Sequence, residues 1–477
     1  MILLILLSLP VLAGVCLSFP AARALAAPLL VVVGFACACL AVALNFNPAP
    51  EPIWGGYLRV DATSRLFIGL INPIFLGISV YILSRVSSTP DLRAGMGRFA
   101  FFCLCFLASA NFALVSNHLL VAWVALEGTS LAAAPLIVRG DVPNSRLASW
   151  RYLLFSSVGL GLALLGFLCL AKGGGIGGSG TALFIDRLAG ASGAAPDAWT
   201  RIGLVLTLLG LGTKLGLAPM YNWLPEVYDE APPSAAALLA AIQFNCVLAV
   251  LIRIVGAYRA GNSELVTNML ILMGGLSMMV STFNIIGTRN VKRLIAYASI
   301  NHAGVIAIGL GVGVGASYGL LLYAISNAFI KAILFLAVGK IKAQYRTKDT
   351  RRIVGLVKDL PYSGAFLMVG TFALLGFPPF GSFFGELLIL SALVGSGHML
   401  VFGAFCALII ITFVATGRTI FPMIWGEPKE ARTWPRQTFI SAAPKMCFLA
   451  ALIVLGVYIP ASVNDLISEV ALTLDAR

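Results

Sequence analysis

The chain has 477 residues, of which 60% are hydrophobic and 11% charged; a soluble domain is about 45–50% apolar and about 25% charged. The net charge of +13 comes from basic residues in short segments between apolar runs, with no basic patch interleaved with aromatics, so orientation in a membrane is indicated and nucleic-acid binding is not. The nine cysteines lie in or beside apolar runs without a Cys-x-x-Cys pair or a spaced Cys/His set, so no metal centre, iron–sulfur cofactor or disulfide framework is expected.

The first run, MILLILLSLPVLAGVCLSFP, has no basic residue ahead of it and reads as a retained helix rather than a cleaved signal. Apolar segments near the length of about 20 residues that spans a bilayer then centre near Leu9, Val33, Pro73, Phe106, Trp123, Gly161, Leu209, Ile242, Gly275, Val305, Phe329, Leu375, Ile410 and Ile453. They predict an all-α integral membrane protein of about 14 transmembrane helices. The stretch 362–392 is interrupted by Gly376-Phe-Pro-Pro-Phe-Gly381 and counts as one broken helix.

With the N-terminus outside, 22 Lys and Arg fall on the cytoplasmic side, including seven from Lys340 to Lys358, Lys292, Arg93, Lys429, Arg432, Arg436 and Lys445. Eight, among them Arg59, Arg253 and Arg477, fall on the other side. This bias puts both termini on the outer, periplasmic face of a cell inner membrane. The loop KGGGIGGSG (172–180) matches G-x-G-x-x-G without a strand–turn–helix around it and reads as an outer loop; no Walker motif occurs.

Two pairs of segments hint at an internal repeat. LLVAWVALEG (119–128) resembles RLIAYASINH (293–302), and Gly216-Leu-Ala-Pro-Met resembles Gly376-Phe-Pro-Pro-Phe. Each repeat would carry an unwound helix, where transporters place ion sites.

A charge at mid-helix costs about 2.5–3.5 kcal/mol on insertion scales, so four residues need a reason: Glu127, Lys214, Lys331 and Glu386. They read as a proton relay, or as buried ion pairs that only lock helices together. Burial disfavours the charged lysine and a neighbouring carboxylate favours it, so moving one against the other can load and unload a proton. Tyr323, Asn327 and Lys331 are spaced to share one helix face. Gln243, Asn245, Asn301 and His302 extend the polar set, and His302 is the titratable member of this group near neutrality.

These segments resemble one family. YLRVDATSRLF (57–67), LLVAWVALEGTS (119–130), GTKLGLAPMYNWLPEVYDEAPPSAAALL (212–239), NVKRLIAYASINHAG (290–304), NAFIKAILF (327–335) and GFPPFGSFFGELLIL (376–390) are similar to the antiporter-like membrane subunits shared by respiratory complex I, membrane-bound NiFe hydrogenases and Mrp cation/proton antiporters. The hydrogenase-4 component F type is the nearest within that group. The resemblance implies fourteen helices with two inverted five-helix repeats in which the seventh and twelfth helices are broken. It divides the chain into N-terminal helices (1–97), a first repeat (98–260), a second (261–425) and a C-terminal loop and helix (426–477).

Carried over, Glu127 matches the fifth-helix glutamate, Lys214 the seventh-helix lysine paired with it, Lys331 the eleventh-helix lysine, and Glu386 the acidic form of the twelfth-helix residue. Several titratable positions of relatives are Ala240 or Asn245, Asn327, Tyr323, Asn301 and Tyr221 here, which interrupts a wire made of side chains alone. The extended lateral helix of the longest relatives is not expected. The implied function is a proton-translocating, non-redox subunit of a redox-driven complex, without a catalytic centre, cofactor or metal of its own. Its partners would be other membrane and peripheral subunits, the lipid bilayer and protons, or sodium in an Mrp-type antiporter. The alternatives are a membrane partner that energises bicarbonate uptake, an Mrp-type subunit, and a scaffold without conduction.

Overall fold

A computed structural model describes residues 1–47, 50–88, 95–140, 142, 144–173, 183–191, 197–427 and 439–475. Outside them lie Arg93, the 174–180 part of the glycine loop, Lys429, Arg432, Arg436 and Arg477. Among the described residues the protein is helical, with no β-strand beyond isolated bridges.

The N-terminal third comprises α1 (Ile2–Cys16), α2 (Ala26–Phe46), α3 (Ala62–Ser88), α4 (Met96–Val115), α5 (Leu119–Ile137) and α6 (Asn144–Gly173). A short α7 (Ile185–Ala191) precedes α8 (Ala198–Leu215), α9 (Trp223–Glu230) and α10 (Pro233–Ala237). A π-helical turn, Leu238–Gln243, leads into α11 (Phe244–Gly287). Then come α12 (Val291–Val312), α13 (Ser317–Tyr345), α14 (Leu356–Asp359), α15 (Pro361–Leu374), α16 (Gly381–Gly395), α17 (Met399–Trp425), α18 (Phe439–Val457) and α19 (Ala461–Asp475). α11 carries the end of one span and the whole of the next, 233–259 and 264–287. These fold back on each other, since Cys246 and Met273 both flank the end of α8.

Each of the fourteen apolar segments falls on a helix, but eleven helices among the described residues are long and apolar enough to cross a membrane. α1, α15 and α16 are shorter apolar helices. The last two are the halves of the broken 362–392 segment, divided at the Gly376–Phe380 turn. α19 had no counterpart among the expected helices; it packs Ile467, Val470, Ala471 and Leu474 inward.

Burial sorts the bundle. In their most apolar stretches, 233–259 is wholly buried and α13 is 94% buried, against 17% for α17. The 233–259 segment and α13 therefore form the central axis, as expected for helices apolar on every side. Close approach of α6 and α8 rests on small residues. A Cβ on Gly203 would come within 2.9 Å of the Gly166 carbonyl oxygen, a contact that membrane helices make through glycine.

Charges collect at the two ends. At one, the Asp229 carboxylate accepts from Asn290 (2.9 Å) and Arg293 (3.1 Å) and forms an ion pair with Lys348 (2.6 Å). At the other, Arg253 forks onto both oxygens of Asp61 at 2.9 and 2.7 Å, and Arg59 pairs with Asp186 at 3.0 Å. Two residues assigned to loops from the sequence are instead buried in helices. Lys292 is 1% exposed because its ammonium donates to the Asp229 and Ala231 carbonyls (2.6 and 2.8 Å) left free at the end of α9. Lys445, also 1% exposed, donates to the Ser441 carbonyl within α18 (2.7 Å).

Candidate proton-transfer site

The first break in the fold positions Lys214. α8 ends because Gly216 takes φ +77°, and the Leu217 N–H closes back on the Gly212 carbonyl at 2.9 Å. The Trp223 indole, at the start of α9, donates to the Thr213 carbonyl at 2.9 Å. Lys214 is thereby the penultimate residue of a half-helix and turns into the protein, 3% exposed. Its ammonium donates to the Leu126 carbonyl (2.9 Å), Ser156 Oγ (3.1 Å) and Ser130 Oγ. Ser130 and Ser156 are themselves 2.8 Å apart.

Glu127 lies beside this cluster and acts on Lys214 electrostatically, yet among the described residues no direct ion pair joins them. Its Oε1 accepts from Ser157 at 2.8 Å, and its Oε2 is buried without a partner. The paired glutamate and lysine implied by the family resemblance are thus separated here, because three other acceptors occupy the ammonium.

On the axial side of Lys214, the Tyr152 hydroxyl donates to Gln243 Oε1 (3.0 Å) and Gln243 Nε2 donates to Thr129 Oγ1 (3.2 Å). Gln243 ends the π-helical turn and Phe244 follows it. π-turns inside helices recur at functional sites. This one places Gln243 beside Tyr152 while Phe244 supports Lys331, whose Nζ lies 4.4 Å from the ring centroid. The Asn245 amide donates to the Ala241 carbonyl at 2.7 Å, and its Oδ1 is buried without a partner.

Lys331 stands 14 residues from each end of α13, about 21 Å along the helix from either. It is 1% exposed, and among the described residues its ammonium has no hydrogen-bond acceptor. One turn earlier, both amide atoms of Asn327 are buried and unpartnered, as is the Ser326 hydroxyl. Buried polar atoms are normally satisfied by protein or water, and among the described residues Asn245 Oδ1 and the Asn327 amide are not satisfied by protein.

Towards the second break, the Tyr323 hydroxyl and His302 Nδ1 are hydrogen-bonded across α12 and α13. The His302 ring also meets the backbone of Leu374, the last residue of α15, and feels the charge of Lys331. Asn301 Nδ2 donates to Ser281 Oγ at 3.2 Å. A cavity of about 20 Å³ is bordered by Asn301, His302, Tyr323, Glu386, Thr412 and Thr416, room for roughly one water.

The Glu386 carboxylate rests against Gly376, where a Cβ would come within 2.9 Å of Oε2. Gly376, with φ +67°, is the counterpart of Gly216 in the second break. Among the described residues Glu386 has no hydrogen-bond partner and no ion pair with Lys331.

The sequence reading thus finds Lys214, Lys331, His302, Tyr323, Asn327, Asn301, Asn245 and Glu386 on or beside the central axis, with Glu127 at its edge. It placed Gln243 in the polar set and missed Ser130, Ser156, Tyr152 and Thr129. The four-residue spacing of Tyr152 and Ser156, on one face of α6 opposite Lys214, was the available signal. His118, at the N-terminal cap of α5, is buried between Tyr57 and Phe184, each ring centroid 5.0 Å away.

Residues 116–412 match the family described as NADH:quinone oxidoreductase/Mrp antiporter, TM. A hydrogenase-4 component F homolog of Methylacidiphilum infernorum is 29% identical over 424 residues, covering 86% of this chain and 87% of that protein. NADH-quinone oxidoreductase subunit N 2 of Solidesulfovibrio magneticus is 28% identical over 443 residues, covering 91% and 90%. A chain of the membrane-bound sulfane sulfur reductase, an archaeal respiratory membrane complex, has the same fold, with a TM-score of 0.87 at 23% identity over 99% of this chain and 97% of that one. With its broken helices and axial lysines, the chain belongs to the NADH:quinone oxidoreductase/Mrp antiporter transmembrane family.

Proposed function

We propose that this antiporter-like subunit moves protons from Lys214 along the π-turn to Lys331, past His302 and Tyr323 to Glu386, and out at the end of the bundle that holds the Asp61–Arg253 pair. The observation that carries this reading is Lys331: an ammonium at mid-helix in the most buried part of the protein, without an acceptor among the described residues, beside an amide whose donor and acceptor are both free among them. A structural lock would instead pair that charge. Ordered water between Asn245, Asn327 and Lys331 supplies the hops that the asparagines cannot.

The two breaks support division into repeats at 98–260 and 261–425, each with a half-helix that ends at a glycine of positive φ, Gly216 and Gly376. The protein would lie in the cell inner membrane with both termini outside. The grouping of Lys292, Arg293 and Lys348 at one end supports this, since such residues stay cytoplasmic. It would work with further membrane and peripheral subunits of a redox-driven complex, and the likeness to a hydrogenase-4 component F homolog supports that partner class.

Proton flux into proteoliposomes holding the purified protein tests the route. Flux should be lost in Lys331→Arg with folding retained. Flux at the wild-type rate would overturn the role of this lysine, and sodium-dependent flux would favour the Mrp-type alternative. Labelling of a cysteine at position 348 from outside intact cells would reverse the sidedness.

A further inference from the structure

The Lys445 ammonium is a fully buried charge that the proposed route does not use. We propose that the corner between α3, α13 and α18 is an anion site that takes a phosphate group, as carried by an anionic phospholipid headgroup at the basic end of the bundle. Among the described residues Lys445 has one hydrogen bond, to a carbonyl of its own helix. Its remaining surroundings are the rings of Tyr81 (5.4 Å) and Phe366 (5.5 Å) and two further cations, Lys340 of α13 and Arg85 of α3. No described carboxylate faces it. Like charges around a buried ammonium oppose one another, and an anion between them reverses the sign of the interaction.

A second observation points to the same ligand. Tyr81 is 2% exposed, and among the described residues its buried hydroxyl has no hydrogen-bond partner. It abuts α13 at Gly339, where a Cβ would come within 3.0 Å of it, one residue before Lys340. A phosphate oxygen can accept from Tyr81, Lys340 and Lys445 together, which satisfies the orphan donor and the ammonium at once. Lys340 and Arg85 are half-buried, whereas Lys445 and Tyr81 are buried. Basic pockets between helices at such a membrane face recognise lipid phosphates.

The test is native mass spectrometry of the purified protein taken from vesicles of phosphatidylcholine with phosphatidylglycerol. The wild type should retain phosphatidylglycerol. Lys445→Met and Tyr81→Phe should each retain about tenfold less, the loss of one hydrogen bond to a charged group. Arg289→Gln, an exposed cation at the same end, should match the wild type. Displacement by inorganic phosphate would identify free phosphate as a competing source of the same chemistry, and its failure to displace would identify the lipid. Equal retention by wild type and Tyr81→Phe overturns the site. That variant removes a single oxygen and keeps the test decisive even where Lys445→Met fails to fold.

Discussion

The ammonium of Lys214 is hydrogen-bonded to the hydroxyl of Ser130 rather than to the carboxylate of Glu127. The cation is held by neutral groups on α5 and α6, and its counter-charge acts from a short distance away. A proton can therefore leave Lys214 without first breaking an ion pair.

Ser130→Ala should consequently impair flux more than a surface substitution does. A hydrogen bond to a charged group contributes about 1.5–3 kcal/mol, about tenfold or more in the balance between the two forms of the lysine. Proton flux in proteoliposomes checks this. Glu127→Gln should fold normally and also slow uptake, and full flux in that variant would remove the glutamate from the relay.

The hydroxyl between His302 and the Glu386 cavity gives a second test. Tyr323→Phe keeps the ring and removes the oxygen bonded to His302 Nδ1. Flux should fall several-fold, about 1 kcal/mol for a neutral hydrogen bond, with thermal stability nearly unchanged. Flux equal to wild type would mean that protons bypass Tyr323.

Gly376→Ala should harm both fold and transport. Its φ of +67° costs a residue with a side chain about 1–2 kcal/mol, and the new Cβ would press on Glu386 Oε2. A lower melting temperature together with lost flux is expected. Loss of flux at unchanged melting temperature would assign the whole effect to the carboxylate.

At the opposite end from Lys348, acidity should weaken the fold through Asp61. Burial alone would push its carboxyl up, but the Arg253 guanidinium, joined by Ser64, outweighs it and holds the group below the usual carboxylate range. A carboxylate with a depressed folded-state value stabilises the fold above its unfolded value, about 3.9, and that contribution is lost as pH falls through the folded value. Melting temperature in detergent should drop below about pH 4 in the wild type. Asp61→Asn should be less stable at neutral pH and should lack that step; an unchanged step would assign it to other carboxylates.

Lys292→Met should lower stability by about 1–3 kcal/mol, since the Ala231 carbonyl loses its donor and the Asp229 carbonyl keeps only Lys348 at 3.3 Å. Thermal unfolding measures it, and a stability equal to wild type would show that water replaces the ammonium.

The membrane class, the helical segments, both breaks and the four intramembrane charges follow from the sequence, because hydrophobic length and the cost of a buried charge are local properties. Gly216 and Gly376 were legible for the same reason, since a glycine beside Pro-containing turns interrupts a helix wherever it is. What lay opposite each charge was decided by the tertiary structure. Ser130, Ser156 and Tyr152 are ordinary polar residues until packing of α5, α6 and the π-turn brings Ser130 and Ser156 to Lys214 across 84 and 58 positions and Tyr152 to Gln243 across 91. Lys292 and Lys445 read as loop cations because charge near the end of an apolar run normally meets water. Only packing supplied the carbonyls and aromatic rings that bury them, and such partners, distant along the chain or belonging to the backbone, leave no pattern in the sequence.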